Sequence, residues 1–275
     1  MKSLIREKLA SARARASAAG RRAGVILIVL ALGVLIVREA RPAPDVGAVY
    51  QAAATNDLGA FAEQVARMPD VDARDPLGFT PLMIAASVGR VRAVELLLDR
   101  GASVDLSHRD LGTPLMLALS NGHAEVARLL LARGADVNAR CGGFDPLTSA
   151  ARAWAPDCLE IVLAAGAEVN RADRHDNPLT LAVREEEVDG LRRLLEAGAD
   201  PNLPNADGTT PLSDAVDQHA ASAALLLLAA GADPDHVGPS GLTPRSVARQ
   251  LGRAEMIELA TPQRTADLAT GGATP

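Results

Sequence analysis

Residues 80–105 read TPLMIAASVGRVRAVELLLDRGASVD, and they contain one complete copy of the unit from which the chain is built. Thr80 and Pro81 are typical of a helix start, since threonine caps the first turn and proline lacks only an N–H that would be unpaired there. Gly89 is placed to end that helix in the left-handed conformation. A second run with apolar residues at helical spacing then stops at Gly101. The stretch therefore predicts two short helices joined by a tight turn.

The features of this stretch recur with a period of about 33 residues. Its proline is spaced by 33, 32, 32, 33 and 33 residues, at Pro81, Pro114, Pro146, Pro178, Pro211 and Pro244. A Gly-Ala pair follows twenty residues after each of the first five prolines, at Gly101, Gly134, Gly166, Gly198 and Gly231. An alanine follows four residues after every one, at Ala85, Ala118, Ala150, Ala182, Ala215 and Ala248. Because small side chains let short helices approach closely, the pattern predicts a stack of helical pairs.

The composition agrees with an all-α fold. Hydrophobic residues make up 48 % of the 275 residues, but aromatic residues only 2 %. A core filled by Leu, Ala, Val and Ile suits small helices packed close together and fits a β-sandwich poorly.

The repeating unit resembles the ankyrin repeat. Residues 80–105 show the resemblance, and residues 113–138 show it more closely. It implies an all-α ankyrin-repeat solenoid of six to seven helix-turn-helix repeats over residues 46–262. We expect repeats at 46–75, 76–108, 109–140, 141–172, 173–205, 206–238 and 239–262, the first of them degenerate and the last a polar cap. A disordered tail is expected at 263–275.

The sequence departs from the family pattern at three kinds of position. The family's histidine two residues after the proline is replaced throughout, so its hydrogen bond to the threonine should be lost or weakened. That threonine becomes Asp145 and Asn177 in two repeats, and both remain competent caps. The glycine between the two helices becomes Trp154, Glu186 and His219, which puts these three turns in question.

An apolar segment precedes the repeats. Residues 23–37 read AGVILIVLALGVLIV without a polar side chain, and fifteen helical residues span about 22 Å. Because this length is shorter than a hydrocarbon core of about 30 Å, the flanking arginines must extend their side chains to the membrane surface. We therefore expect a basic segment at 1–22, a transmembrane signal-anchor helix at 23–40 that ties the chain to the membrane, and a linker at 41–45. A cleaved signal peptide is the main alternative, although Arg38 and Arg41 disfavour the nearby cleavage sites.

The charge distribution gives the expected orientation. Seven basic residues and one acid lie in residues 1–22, whereas the rest of the chain has 21 basic and 33 acidic residues. This places the N-terminus in the cytoplasm and the repeats in the periplasm, on an inner membrane. A secreted protein or a mitochondrial membrane protein are alternatives. The acidic body excludes nucleic acid as a partner and favours a basic protein.

No pattern in the sequence indicates catalysis, a metal or a cofactor, so we expect a non-enzymatic protein. His123 stands at a helix start and is interpreted as a structural cap. Cys158 aligns with a core position and Cys141 with an exposed turn, so their pairing is disfavoured but open.

The remaining expected function is protein recognition by a monomeric repeat domain. The resemblance implies a binding surface on the concave face, formed by turn tips and the outward side of each first helix. The candidate residues are Phe79, Ile84, Leu117, Phe144, Asp176, Leu181 and Arg184. Exposed apolar residues in series would favour a partner site, but packing against neighbouring first helices is an equal alternative for Ile84 and Leu117. The expected role is a membrane-anchored scaffold; a regulatory subunit or a secreted effector are the alternatives.

Overall fold

The computed structural model describes residues 46–55, 57–153, 155–170 and 177–252. Regular structure in these residues is helical, with only two isolated bridges besides. The helices are α1 Val46–Thr55, α2 Leu58–Arg67, α3 Pro81–Ser87, α4 Val91–Asp99, α5 Pro114–Ser120, α6 Ala124–Ala132, α7 Pro146–Ala153, α8 Pro156–Ala164, α9 Pro178–Arg184, α10 Val188–Glu196, α11 Pro211–Asp217, α12 Ala221–Ala229 and α13 Pro244–Gln250.

The expected basic segment, signal-anchor helix, linker and C-terminal tail lie outside the described residues. Within the described part of the chain, every helix is too short or too polar to cross a bilayer.

The chain divides into two compact units, with the boundary between Ala167 and Glu168. In the first unit the first helices of each pair, α1, α3, α5 and α7, pack in sequence, and so do the second helices α2, α4, α6 and α8. In the second unit α9, α11 and α13 form one such row, and α10 packs against α12. Each unit is therefore built from helical pairs whose like members lie side by side.

The residue before each of the six repeat prolines caps its helix, as the sequence predicts. Thr80 and Thr113 accept hydrogen bonds from the amides of the third helical residue. Asp145 and Asn177 do the same through their side-chain oxygens, at 2.7 and 2.9 Å from the amides of Thr148 and Thr180. The lost histidine contact is partly replaced, because the Thr148 hydroxyl also donates to Asp145 Oδ1 at 3.0 Å.

The alanine four residues after each proline is buried in both units. Ala85, Ala118 and Ala150 are fully inaccessible, and the equivalent alanines of the second unit are at most 1 % exposed. Such burial leaves no room for a larger side chain, which explains why the position never carries one in this chain.

Two helix-to-helix turns keep their geometry without glycine. Glu186 and His219 have φ angles of 60° and 61°, in the left-handed region that Gly89 and Gly122 occupy elsewhere. The closing hydrogen bonds are kept, since Glu187 N donates to Ala182 O at 2.9 Å, just as Arg90 N donates to Ala85 O. These turns are therefore retained at the cost of backbone strain. The third glycine-free turn contains Trp154, which lies outside the described residues.

Candidate functional site

Four of the candidate binding residues are buried. Phe79, Ile84, Leu117 and Leu181 are 5, 7, 2 and 5 % exposed. Of the two alternatives that the sequence leaves for Ile84 and Leu117, the structure shows packing rather than exposure, and Phe79 and Leu181 are likewise not exposed. In the first unit, α3, α5 and α7 pack side by side, so the third residue after the proline faces a neighbouring helix rather than solvent. Asp176 lies outside the described residues.

Phe79 belongs to the packing between repeats. Its ring stacks on His108 with centroids 4.6 Å apart, and the Tyr50 hydroxyl donates to its carbonyl oxygen at 2.5 Å. The Asp75 carboxylate accepts hydrogen bonds from the amides of Leu77 and Phe79 at 2.8 and 2.9 Å. Burial raises the pKa of Asp75 and, more strongly, that of Tyr50. These groups hold the turn tip in place.

Phe144 is the candidate aromatic residue that remains partly accessible. It lies at a turn tip, where its carbonyl accepts from Cys141 N at 3.0 Å. The guanidinium carbon of Arg152, an exposed residue of α7, lies 5.1 Å from the ring centroid. A cation over an aromatic face is attracted by the ring quadrupole. Phe144 and Arg152, which we name the Phe144 pair, therefore present an aromatic ring and a positive charge together.

Arg184 is the candidate charged residue in the second unit. Its Nε donates to Asp214 Oδ2 at 2.7 Å, and the two side chains are 36 and 10 % exposed. Asp207 lies on the adjacent turn tip, where the hydroxyl and amide of Thr209 donate to its carboxylate. These hydrogen bonds, and to a smaller degree the charge of Arg184, lower the pKa of Asp207. In this unit, therefore, one ion pair between two first helices and one turn-tip carboxylate are held in place by hydrogen bonds.

Sequence reasoning missed Arg152 and Asp214. The sixth residue after each proline lies at the end of the first helix, where Arg152 and Arg184 are equivalent and both exposed. Arg152 could have been found from this register. Asp214 occupies the third position after its proline, where Ile84, Leu117 and Leu181 stand in other repeats. A charged residue at a repeat position that is otherwise uncharged was the available signal.

Chemically reactive groups in the described residues have structural roles. Both cysteines are free, and burial raises the pKa of Cys158 to about 11, so its thiol is protonated at neutral pH. Cys141 Sγ donates to His108 O at 3.1 Å. His123 makes no capping bond; its Nε2 donates to Ser87 O of the preceding repeat at 3.1 Å. In the described part of the chain no group of three or more His, Cys, Asp or Glu side chains could hold a metal ion.

Paired short helices, capped at each proline and stacked like upon like, define a tandem helical-repeat protein. The family model described as ankyrin repeats (3 copies) matches residues 49–141, 102–173 and 147–237. These matches together span more than half of the 275 residues. The chain belongs to the ankyrin-repeat family.

Solved structures agree with this assignment. The human ASB11 ankyrin repeat domain is 26 % identical with a TM-score of 0.69, and the match covers 78 % of this chain and 97 % of that domain. The ankyrin repeat domain of Bcl-3, described as a unique member of the IkappaB protein family, is 25 % identical with a TM-score of 0.70, covering 77 and 97 % of the two chains. No curated protein matches the chain by sequence. Domains of this family generally mediate protein–protein interaction and typically serve as non-catalytic scaffolds.

Proposed function

We propose that this protein is a membrane-anchored ankyrin-repeat scaffold that binds a protein partner and performs no catalysis itself. The observation that carries the binding role is the fold, whose family members mediate protein–protein interaction. The anchoring role rests on the apolar run at 23–37 and its basic flank. The scaffold lies in the inner membrane with its N-terminus in the cytoplasm and its repeats in the periplasm.

The Phe144 pair is the part of the first unit best suited to contact a partner. Aromatic and arginine side chains are enriched in the cores of protein interfaces and dominate their binding energy. Phe144 is only partly buried and Arg152 is exposed, so both remain accessible on a surface whose other apolar candidates are buried.

The second unit suits a basic partner. Residues 177–252 contain eleven Asp or Glu and five Arg. Asp207 lies on an exposed turn tip of this unit, and its low pKa keeps that carboxylate charged. A basic partner would gain from this field, and its capture should weaken as salt screens the charges.

Binding is tested by crosslinking the full chain in intact cells and recovering it in mild detergent. Phe144→Ala and Arg152→Ala should each reduce the recovered partner, while Arg128→Ala, which removes an exposed arginine from α6, should not. If all three variants recovered the same amount of partner, the Phe144 pair would not be part of the binding surface. If the amount of recovered partner did not change with salt concentration, the proposal that the partner is basic would be refuted.

Anchoring is tested by alkaline extraction of membranes. The chain should stay in the pellet at its full mass, and Leu27→Arg with Leu30→Arg should release it, because each central charge costs about 3 kcal/mol in a bilayer. A released wild-type chain, or one shortened near residue 40, would contradict a retained anchor. A reporter enzyme that works only outside the cytoplasm should be active when it is fused after Pro275.

A further inference from the structure

Two turn tips of the first unit, at 108–112 and 141–144, touch each other. Cys141 Sγ donates to His108 O at 3.1 Å, and a Cβ added to Gly142 would lie only 2.9 Å from a backbone carbonyl oxygen of the other tip. The exposed side chains of the two tips therefore form one surface with the end of α7, which lies beside the second tip. We name this set the arginine tip surface; its members are Arg109, Leu111, Arg140, Phe144 and Arg152.

The arginine tip surface combines positive charge with accessible apolar side chains. Its three arginines are exposed, Leu111 is 38 % exposed and Phe144 is partly exposed. On one tip Arg109 and Leu111 are two residues apart, and on the other the guanidinium carbon of Arg152 lies 5.1 Å from the Phe144 ring centroid. Each tip therefore places a cation close to an apolar side chain.

Two arginines of this surface differ from most arginines of the first unit. The usual arginine has a partner within the unit: Arg67, Arg92, Arg109 and Arg133 form ion pairs, and Arg74, Arg90 and Arg100 donate to backbone carbonyls. Within the described residues, Arg140 and Arg152 have neither an ion pair nor a hydrogen bond, and Arg128 on α6 shares this property. Because a guanidinium group carries five N–H donors, Arg140 and Arg152 keep all of theirs for a partner.

Nearby carboxylates leave this surface positive. Asp145 is 5 % exposed and caps α7 with its side chain. Asp105 and Asp136 lie in the turns that precede the tips, where their carboxylates accept backbone amides. Asp110 is the exposed acid of the tips; its Oδ1 lies 3.6 Å from Arg109 Nε, with side chains 69 and 88 % exposed, and such an exposed pair is weak. One exposed carboxylate on the tips thus stands against three arginines.

We propose that the arginine tip surface binds an acidic segment of the protein partner, in which Asp or Glu side chains alternate with apolar ones. The guanidinium groups bind carboxylates in planar, bidentate pairs. The inference rests on the proposed binding function and gives the first unit the opposite preference from the acidic second unit. A protein segment is favoured over nucleic acid or an anionic membrane, because both present dense negative charge and the chain after residue 22 is acidic overall.

The positions of the cations set the order of side chains in the segment. A carboxylate bound by Arg152 lies beside the Phe144 ring, so the next side chain of the segment can cover that ring. A second carboxylate bound by Arg109 would bring another apolar side chain to Leu111. An alternation of acidic and apolar residues satisfies both contacts, whereas a purely acidic segment leaves the apolar side chains uncovered.

Fluorescence anisotropy with the purified full chain in an uncharged detergent tests the proposal. The probe is a labelled peptide of alternating Glu and Leu residues, and its control has Gln in place of Glu. The Glu peptide should bind more tightly, and Arg140→Gln or Arg152→Gln should each weaken it about two- to five-fold. Arg128→Gln is the matched control, because it removes an equally unpaired arginine from α6. Equal affinity for the two peptides, or an equal loss with Arg128→Gln, would overturn the proposal.

Two further variants separate the ionic contact from the apolar one. Asp110→Asn should strengthen binding of the Glu–Leu peptide about two-fold, because it removes the opposing carboxylate. Phe144→Ala should weaken binding of that peptide but leave a Glu–Ser peptide unchanged, and a ring without this selectivity would exclude the apolar contact. Far-UV circular dichroism establishes that each variant is folded. Mixed micelles of an anionic lipid that displaced the peptide would reassign the surface to a membrane and so overturn the proposal.

The peptide measurement is independent of the partner in cells. A chain that recovers no partner from cells would contradict the scaffold function, yet the selectivity for the Glu–Leu peptide would still establish the chemistry of the surface. A chain that recovers its partner but binds the Glu and Gln peptides equally would overturn this inference alone.

Discussion

The strained turn at Glu186 makes a quantitative test of the repeat geometry. Its φ of 60° is sterically unfavourable for a residue with a Cβ, by about 1–2 kcal/mol. Glycine removes that penalty but loses more chain entropy on folding, at about 0.5–1 kcal/mol. Glu186→Gly should therefore stabilise the second unit by about 0.5–1 kcal/mol relative to Glu186→Ala. Alanine is the matched reference because it removes the same carboxylate and keeps the Cβ.

Urea unfolding followed by far-UV circular dichroism, with hydrogen exchange at the Glu187 amide, would measure this difference. That amide closes the turn by donating to Ala182 O, so its protection reports local opening. His219→Gly against His219→Ala repeats the comparison in the next turn, where φ is 61°. If alanine proved as stable as glycine at both positions, the left-handed geometry of these turns would be wrong.

Three further predictions concern the first unit. Gly122→Ala should cost about 0.5–1 kcal/mol of unfolding free energy, the steric penalty at its φ of 75° less the chain entropy that alanine saves, because an added Cβ meets only Ala155 at 3.6 Å. Gly89→Ala should cost more, because there the Cβ would come within 2.6–2.9 Å of the His123 ring. Urea unfolding that ranked the two variants in the reverse order would contradict the packing of His123. Ala118→Leu should lose about 1–3 kcal/mol in the same assay, since Ala118 is fully buried between helices, while Ala132→Leu on the exposed side of α6 should change little. Burial lowers the pKa of His123 below its ordinary 6.5. The neutral His123 ring therefore contributes its full share of stability above pH 6.5. This contribution declines as the pH falls, because the unfolded chain binds the proton at a higher pH than the folded chain does. The unfolding midpoints of wild type and His123→Gln should therefore converge on acidification, and a constant difference between them would exclude this titration.

Periodicity was enough to predict the helices. Each proline with its cap begins a helix where the sequence places it, and Asp145 and Asn177 cap as threonine does, because the capping bond needs only a side-chain oxygen. The glycine-free turns could not be decided from the sequence. Whether Glu186 breaks a turn or is strained into it depends on the packing energy of the helices on either side, which no local pattern contains.

The binding surface was harder to predict than the fold. A repeat register states which residues are equivalent but not how closely neighbouring helices pack, so Ile84 and Leu117 were equally consistent with an exposed and a buried position. The structure buries both. The register makes Arg152 equivalent to Arg184, but only the structure shows that it contacts Phe144, since a turn tip and a helix end eight residues apart in the chain meet there.

A membrane-held scaffold that binds a protein should be recovered from solubilised membranes together with its partner. The full chain, tagged at its C-terminus, would be crosslinked mildly in cells and purified from detergent-solubilised membranes, and the protein recovered with it quantified by mass spectrometry. We expect one partner in near-stoichiometric amount that is reduced by Arg152→Ala and retained with Arg128→Ala. A chain recovered from the membrane with no stoichiometric partner would contradict the scaffold function, and a chain absent from the membrane would contradict its anchoring.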